Sequence, residues 1–139
     1  MQHTTKMLDT KINLLVIDDD DINIFIIKKI VEKTGFDIEM TSKSNGQQAI
    51  DFLKDVIAND RPIPHLILID INMPVMNGWE FVEAYASLAI TQKVDLYILS
   101  SSVYENDIER TKSYTSVKGF ISKPLSMERL TELIKDIRI

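Results

Sequence analysis

Four consecutive aliphatic residues, Leu66-Ile67-Leu68-Ile69, run straight into Asp70, and no other stretch restricts the fold as much. A strand with one wet face would alternate; a run without alternation is a strand buried on both faces, as in a parallel sheet covered by helices on each side. Asp70 then stands at the carboxyl end of a central strand, the edge at which open α/β sheets build their sites. Pro74 and Asn77-Gly78 break the chain soon after, so Asp70 to Asn77 reads as a loop and Gly78 onward as a new element. Taken alone, an Asp after a strand is equally a helix cap or a turn residue. Two other stretches decide otherwise.

The first is Ile12 to Ile17, which repeats the pattern by running into Asp18-Asp19-Asp20-Asp21. A helix follows from Asp21 to Lys33, with Ile24, Ile26, Ile27, Ile30 and Val31 on one arc and Lys28, Lys29 and Glu32 opposite. Asp20 and Asp21 suit the cap and first turn of that helix, where its dipole favours acids. Phe25 falls among the charges and is out of place, and Thr34-Gly35 ends the helix. Phe36, Ile38 and Met40 alternate with Asp37, Glu39 and Thr41, the period of an edge strand. Asn45-Gly46 opens a second helix with Ala49, Leu53, Val56 and Ile57 at core spacing, and Asn59 to Pro62 closes it. Gly78 to about Leu88 is a third helix, with Phe81, Val82, Tyr85 and Leu88 inward.

The second stretch is Val94 to Leu99, another buried strand, which ends in Ser100-Ser101-Ser102 and sets hydroxyls at the edge that carries the acids. Glu105 to about Tyr114 has helical length but little apolar content beyond Ile108, so a thinly packed, mobile helix is expected. Gly119 to Ser122 is a short strand ended by Lys123-Pro124. Ser126 suits the cap of a final helix with Met127, Leu130, Leu133, Ile134 and Ile137 as its core stripe.

Five alternations of strand and helix specify a doubly wound α/β domain with a five-stranded parallel sheet. The alternating second strand and the short fifth suit the edges, which favours the order 2-1-3-4-5. Residues 12–139 form this one domain, residues 1–11 read as a loose lead-in, and no output domain is expected. In that order the ends of strands one, three, four and five converge. Acids, a hydroxyl and an amine then share one pocket.

Asp18, Asp19 and Asp70 brought together repel one another and call for a counter-charge. Oxygen-only ligation by a few carboxylates, completed by water and phosphate, is the habit of Mg²⁺. Lys123 adds a point charge suited to a phosphoryl oxygen, and Ser100 a hydroxyl that can donate to another. The set describes attack by Asp70 on a phosphoryl group, with positioning and electrostatics supplying most of the catalysis. A net charge of −5 with no concentrated basic patch argues against a nucleic-acid surface, and the absence of cysteine excludes disulfides and thiolate metal sites. It also fits a reducing cytoplasm.

Asp18-Asp19, Asp70 with Met73-Pro74 and Asn77-Gly78, Ser100 and Lys123-Pro124 together resemble the receiver domain of two-component response regulators, over roughly Ile12 to Ile137. The resemblance implies a flavodoxin-like (βα)5 fold, and the strand order above is already the familiar one for that family. It implies a stand-alone, chemotaxis-type receiver in a phosphorelay: Asp70 accepts phosphate from a sensor histidine kinase or a histidine phosphotransfer protein. Mg²⁺ is then held by Asp19, Asp70 and the backbone carbonyl of Asn72, with Asp18 helping through water. Ser100 and Phe120 form the switch pair, Lys123 engages the phosphoryl group, and Lys123-Pro124 is a cis bond. Phosphorylation changes the partner-binding face from Glu105 to Ile137, which passes the signal to a separate downstream target protein. Such a protein is a phosphoacceptor with weak self-catalysed phosphotransfer and dephosphorylation, not a turnover enzyme. Its first helix docks the kinase's phosphohistidine domain, which gives the stray Phe25 a role as an anchor.

Two departures stand out. Counting forward from the strand selects Ser100 for the hydroxyl position, whereas counting back from Lys123 selects Ser101. Placing one extra residue between Tyr114 and Gly119 favours Ser100. The aromatic of the last strand is Phe120 where Tyr is common, which keeps the ring and removes a phenolic hydrogen bond. Asn72 lies beside the route by which water would attack phospho-Asp70. His3 and His65 lack ligand spacing, and Trp79 suits packing. Other functions fit less well. A haloacid-dehalogenase-type phosphatase wants a second Asp where Asn72 stands, an EF-hand fails on spacing, and a receiver-fold interaction module controlled without phosphate would not need the full set of site residues.

Overall fold

The computed structural model describes residues 11–102 and 104–137, so residues 1–10 of the expected 1–11 lead-in lie outside the described residues. Five strands and five helices alternate: β1 Ile12–Ile17, α1 Asp21–Thr34, β2 Ile38–Lys43, α2 Gly46–Ala58, β3 Leu66–Ile69, α3 Gly78–Ser87, β4 Asp95–Ser100, α4 Glu105–Thr111, β5 Val117–Ser122 and α5 Met127–Ile137. The strands are all parallel, in the order β2-β1-β3-β4-β5. The expected order therefore holds, with β2 half exposed at one edge.

Period-two alternation sorts the sheet's residues between two cores. Leu14, Val16, Leu66, Leu68, Tyr97 and Leu99 point to the side covered by α1 and α5, where Ile27, Val31, Leu130, Leu133 and Ile134 close over them. Leu15, Ile17, Ile67, Ile69, Leu96 and Ile98 face α2 and α3, meeting Ala49, Ile50, Leu53, Phe81, Val82 and Tyr85. Both faces of the central strands are thus dry, which is why β3 reads as an unbroken apolar run.

Three helix residues placed in core stripes, Ile26, Ile57 and Met127, are exposed instead. Each lies at the margin of an apolar arc wider than the surface its helix covers. The helix ends follow local chemistry. Asp20 caps α1 by accepting from the Ile22 and Asn23 N–H groups, and Gly35 ends it at φ 77°. Asn77 and Glu80 form a reciprocal capping box on α3. Ser126 accepts from the Arg129 N–H at the start of α5. α4 stops at Thr111, short of the expected Tyr114, and has no side-chain cap.

β5 begins two residues earlier than expected and carries an irregularity. Leu96 pairs with Val117 and Tyr97 with Gly119, so Lys118 is left out of register. This is a β-bulge in the interval where the sequence required one extra residue. Beyond it Ser100 pairs with Ser122, and the Lys123 N–H donates to the Ser100 carbonyl at 2.9 Å.

Candidate functional site

The parallel sheet aligns the carboxyl ends of its strands, and two backbone bonds continue the alignment past β1 and β3. The Asp18 N–H donates to the Lys43 carbonyl and the Asp70 N–H to that of Ile17, each at 3.0 Å. Asp18 and Asp70 are thereby fixed side by side. Asp18, Asp19 and Asp70 each present a carboxylate oxygen within 4.8 Å of the others. Asp19 is exposed, Asp70 keeps 12% of its side chain exposed, and Asp18 keeps 2%.

Lys123 reaches this cluster from the position directly after β5, and the Lys123-Pro124 bond that follows it is cis. Its Nζ lies 2.8 Å from Asp18 Oδ2 and 3.4 Å from Asp70 Oδ2, bridging the two acids. Burial works to lower the lysine's pKa, but the Asp18 hydrogen bond and the charges of Asp70 and Asp18 outweigh it, so the ammonium is held above its ordinary value. Burial raises the Asp70 carboxyl; Lys123 pulls it down and Asp18 pushes it up, leaving it above its ordinary value. A proton or a cation is therefore welcome at Asp70.

Asp70 Oδ1 accepts from the Ile71 N–H at 2.8 Å. The loop that follows is folded back tightly: the Gly78 N–H donates to the Ile71 carbonyl at 2.8 Å, and a Cβ on Gly78 would lie 2.5 Å from the Asp70 carbonyl oxygen. Only glycine fits there. Within the loop Val75 sits at φ 69° while the Met76 N–H donates to the Pro74 carbonyl, a three-residue turn that is costly for a β-branched residue. Asn72 is exposed beside Asp70.

Ser100 is buried at the end of β4, whereas Ser101 is exposed. The Ser100 hydroxyl oxygen accepts from the Ser102 N–H at 3.2 Å, which leaves its own proton available for donation. Phe120, paired with Ile98 on β5, is half-buried against the α2–α3 core. Phe25 stands apart on α1, 58% exposed, with Lys29 Nζ 5.2 Å from its ring centroid.

One contributor was not singled out in the sequence, and another, Trp79, was read there only as packing. Asn23 donates its side-chain amide to Asp18 Oδ2 at 2.8 Å. Its signal is a polar residue on the first turn of α1 facing back towards the strand end, visible only once the helix start is fixed. Trp79 is 6% exposed and stacks on Tyr114 at 5.7 Å, with the Arg110 guanidinium 4.6 Å above its ring. That cluster ties α3 to α4 beside the site.

The three carboxylates form an all-oxygen donor set suited to a hard divalent cation and ill suited to a soft one. A cavity of about 720 Å³ lies elsewhere, at the amino end of the sheet between Phe52, Arg61 and His65, and shares no residue with this cluster. No helix among the described residues is long and apolar enough to cross a membrane.

Comparison with known proteins gives one answer. The response regulator receiver domain family matches residues 14–135. A crystal structure of a two-component response regulator from Cytophaga hutchinsonii superposes with a TM-score of 0.82 at 34% identity, covering 92% of this chain and 98% of that one. The polar-differentiation response regulator DivK of Brucella anthropi is 24% identical, over 88% of this chain and 93% of its own. The sensor histidine kinase CheAY of Helicobacter pylori is 31% identical over 88% of this chain, which spans only 14% of the kinase.

Proposed function

The chain belongs to the response regulator receiver domain family, and from that membership we propose that Asp70 accepts a phosphoryl group from a phosphohistidine on a sensor histidine kinase or histidine phosphotransfer protein. The observation that supports this reading most directly is the meeting of Asp18, Asp19, Asp70 and Lys123 at one sheet edge. An Asp70 carboxylate oxygen forms the new bond to phosphorus as the P–N bond to the imidazole breaks. The imidazole keeps the electron pair and takes its proton from solvent.

Asp19, Asp70 and the Asn72 backbone carbonyl are the proposed ligands of Mg²⁺, with Asp18 acting through water. The ion supplies charge neutralisation for the transferring phosphoryl oxygens. Lys123 pairs with one phosphoryl oxygen and the Ser100 hydroxyl donates its unspent proton to another, drawing the β4–α4 loop inwards. Phe120 repacks with that movement, and the face from Glu105 to Ile137 changes its affinity for a separate target protein. The chain acts as a phosphoacceptor with slow self-catalysed gain and loss of phosphate, in the cytoplasm where a kinase can reach it.

Intact-protein mass after incubation with acetyl phosphate, with and without Mg²⁺, tests the reading. One phosphoryl group is expected, dependent on Mg²⁺, removable by hydroxylamine and abolished by Asp70→Asn. No gain in the wild type favours a receiver fold that works without phosphate. Kinase docking is a separate expectation. The exposed ring of Phe25 is the proposed anchor, so Phe25→Ala slows transfer from the cognate kinase by roughly tenfold, as loss of an aromatic interface anchor does, and leaves acetyl phosphate labelling unchanged. Equal kinase rates before and after the substitution remove the anchor.

A further inference from the structure

We propose that Asn23 is a positioning residue that lets Lys123 leave Asp18 for the phosphoryl group, because its side-chain amide continues to hold the Asp18 carboxylate once the lysine has moved. The proposal rests on the reading of Asp70 as the phosphoacceptor and deepens it.

Asp18 is the most enclosed acid of the site, and its two oxygens are served by three donors. Oδ1 takes the Asp20 N–H at 2.9 Å; Oδ2 takes both the Asn23 amide and the Lys123 ammonium, each at 2.8 Å. Lys123 is 3.4 Å from Asp70 Oδ2, so at rest the ammonium lies closer to Asp18 than to the acceptor. To meet an oxygen of a phosphoryl group on Asp70 it must lengthen its bond to Asp18. A carboxylate oxygen left buried without a donor carries a large desolvation cost, and that cost would tie the lysine to its resting place.

Asn23 removes the cost. Its amide is neutral, so it is drawn to the incoming phosphate less strongly than the ammonium is. It is also anchored: Asn23 lies in the first turn of α1, and its N–H is among the donors bonded to the Asp20 cap. When Lys123 moves, Oδ2 keeps one good hydrogen bond and the Asp18 carboxylate keeps its orientation towards the cluster. Without Asn23 the lysine is the one remaining donor to Asp18 Oδ2 among the described residues, and both its release and the aim of Asp18 suffer.

The test uses the full chain as wild type, Asn23→Ala, Lys123→Ala and the double variant. Two quantities are read: Mn²⁺ affinity by electron paramagnetic resonance of the free ion, and the rate of acetyl phosphate labelling at saturating Mg²⁺. Asn23→Ala is expected to lower the labelling rate about tenfold, as expected for a buried acceptor left unpaired, and to weaken Mn²⁺ binding by about tenfold, the usual effect of losing an outer hydrogen-bond partner of a metal site. In the Lys123→Ala background the rate effect of Asn23→Ala should shrink to less than about twofold, since no lysine remains to be released. If Asn23→Ala does not fold, Asn23→Ser, whose hydroxyl is too short for the contact, takes its place. A labelling rate within twofold of wild type, or the same fold-loss with and without Lys123, overturns the proposal and leaves the phosphoacceptor reading intact. A wild type that takes no phosphoryl group overturns both.

Discussion

His65 shows how one side chain can tie sheet stability to pH without belonging to the site. Its Nδ1 accepts the Asn13 N–H at 3.0 Å, joining the start of β3 to β1, and that bond needs the neutral ring. Burial lowers its pKa from 6.5. In an unfolded chain the ring takes up a proton first as pH falls through that value, so its contribution is complete above it and declines below. The urea midpoint is therefore expected to drop between pH 7.5 and 5.5 by more in the wild type than in His65→Asn, which keeps an acceptor and cannot titrate. Parallel drops would assign the loss to other groups. The sequence showed only that His65 lacked ligand spacing; a cross-strand bond from an imidazole leaves no spacing to read. Asp18, Asp19, Asp70 and Lys123 were legible because each stands within two residues of the carboxyl end of a strand, and their convergence follows from parallel order alone. Asn23 and the tight seat of Gly78 depend on backbone geometry that no pattern of residue types encodes.

α4 is the element where composition foretold the character and missed the means. Its poverty in apolar residues announced thin packing, and Thr111 is its one buried residue. What fastens it is a surface cluster: Arg110 over Trp79, the Arg110 guanidinium donating to the Tyr114 hydroxyl at 3.3 Å, and that hydroxyl 3.3 Å from Glu83 on α3. The cluster joins two separate pairs at i,i+4 spacing, Trp79 with Glu83 and Arg110 with Tyr114, so a scan for amphipathic stripes along either segment does not show that they meet. The Trp79 ring is buried but Arg110 is exposed, and a cation–π contact with a solvated cation contributes about 0.5–1 kcal/mol, enough to matter for a seven-residue helix. Arg110→Ala should accelerate amide hydrogen exchange across Glu105–Thr111 several-fold and alter Trp79 emission. Unchanged exchange would show that the Ser102–Asp107 hydrogen bond at the other end of the element holds it instead.

At the scale of the molecule, stability resides in the two dry faces of the sheet. Leu68 is fully buried at its centre, and Leu68→Ala is expected to cost about 2–5 kcal/mol, a large part of the roughly 5–15 kcal/mol available to a domain of this kind. Ile22→Ala, exposed on α1, should stay within about 0.5 kcal/mol. Chemical denaturation of both variants checks the contrast, and a comparable loss in each would mean that Ile22 is covered in solution. The overall architecture was legible because burial on both faces and the alternation of elements leave few topologies open. The exposed margins at Ile26, Ile57 and Met127 were not, since an apolar arc does not report the width of the surface that will cover it.

The bulge at Lys118 has a consequence for how such a chain can vary. The extra residue is swallowed near the start of β5, so Ser122 and Lys123 still come to rest opposite Ser100. Chain length and chemical geometry are thereby uncoupled: a lineage can gain or lose a residue upstream of the bulge, and the ammonium still arrives at the same acid.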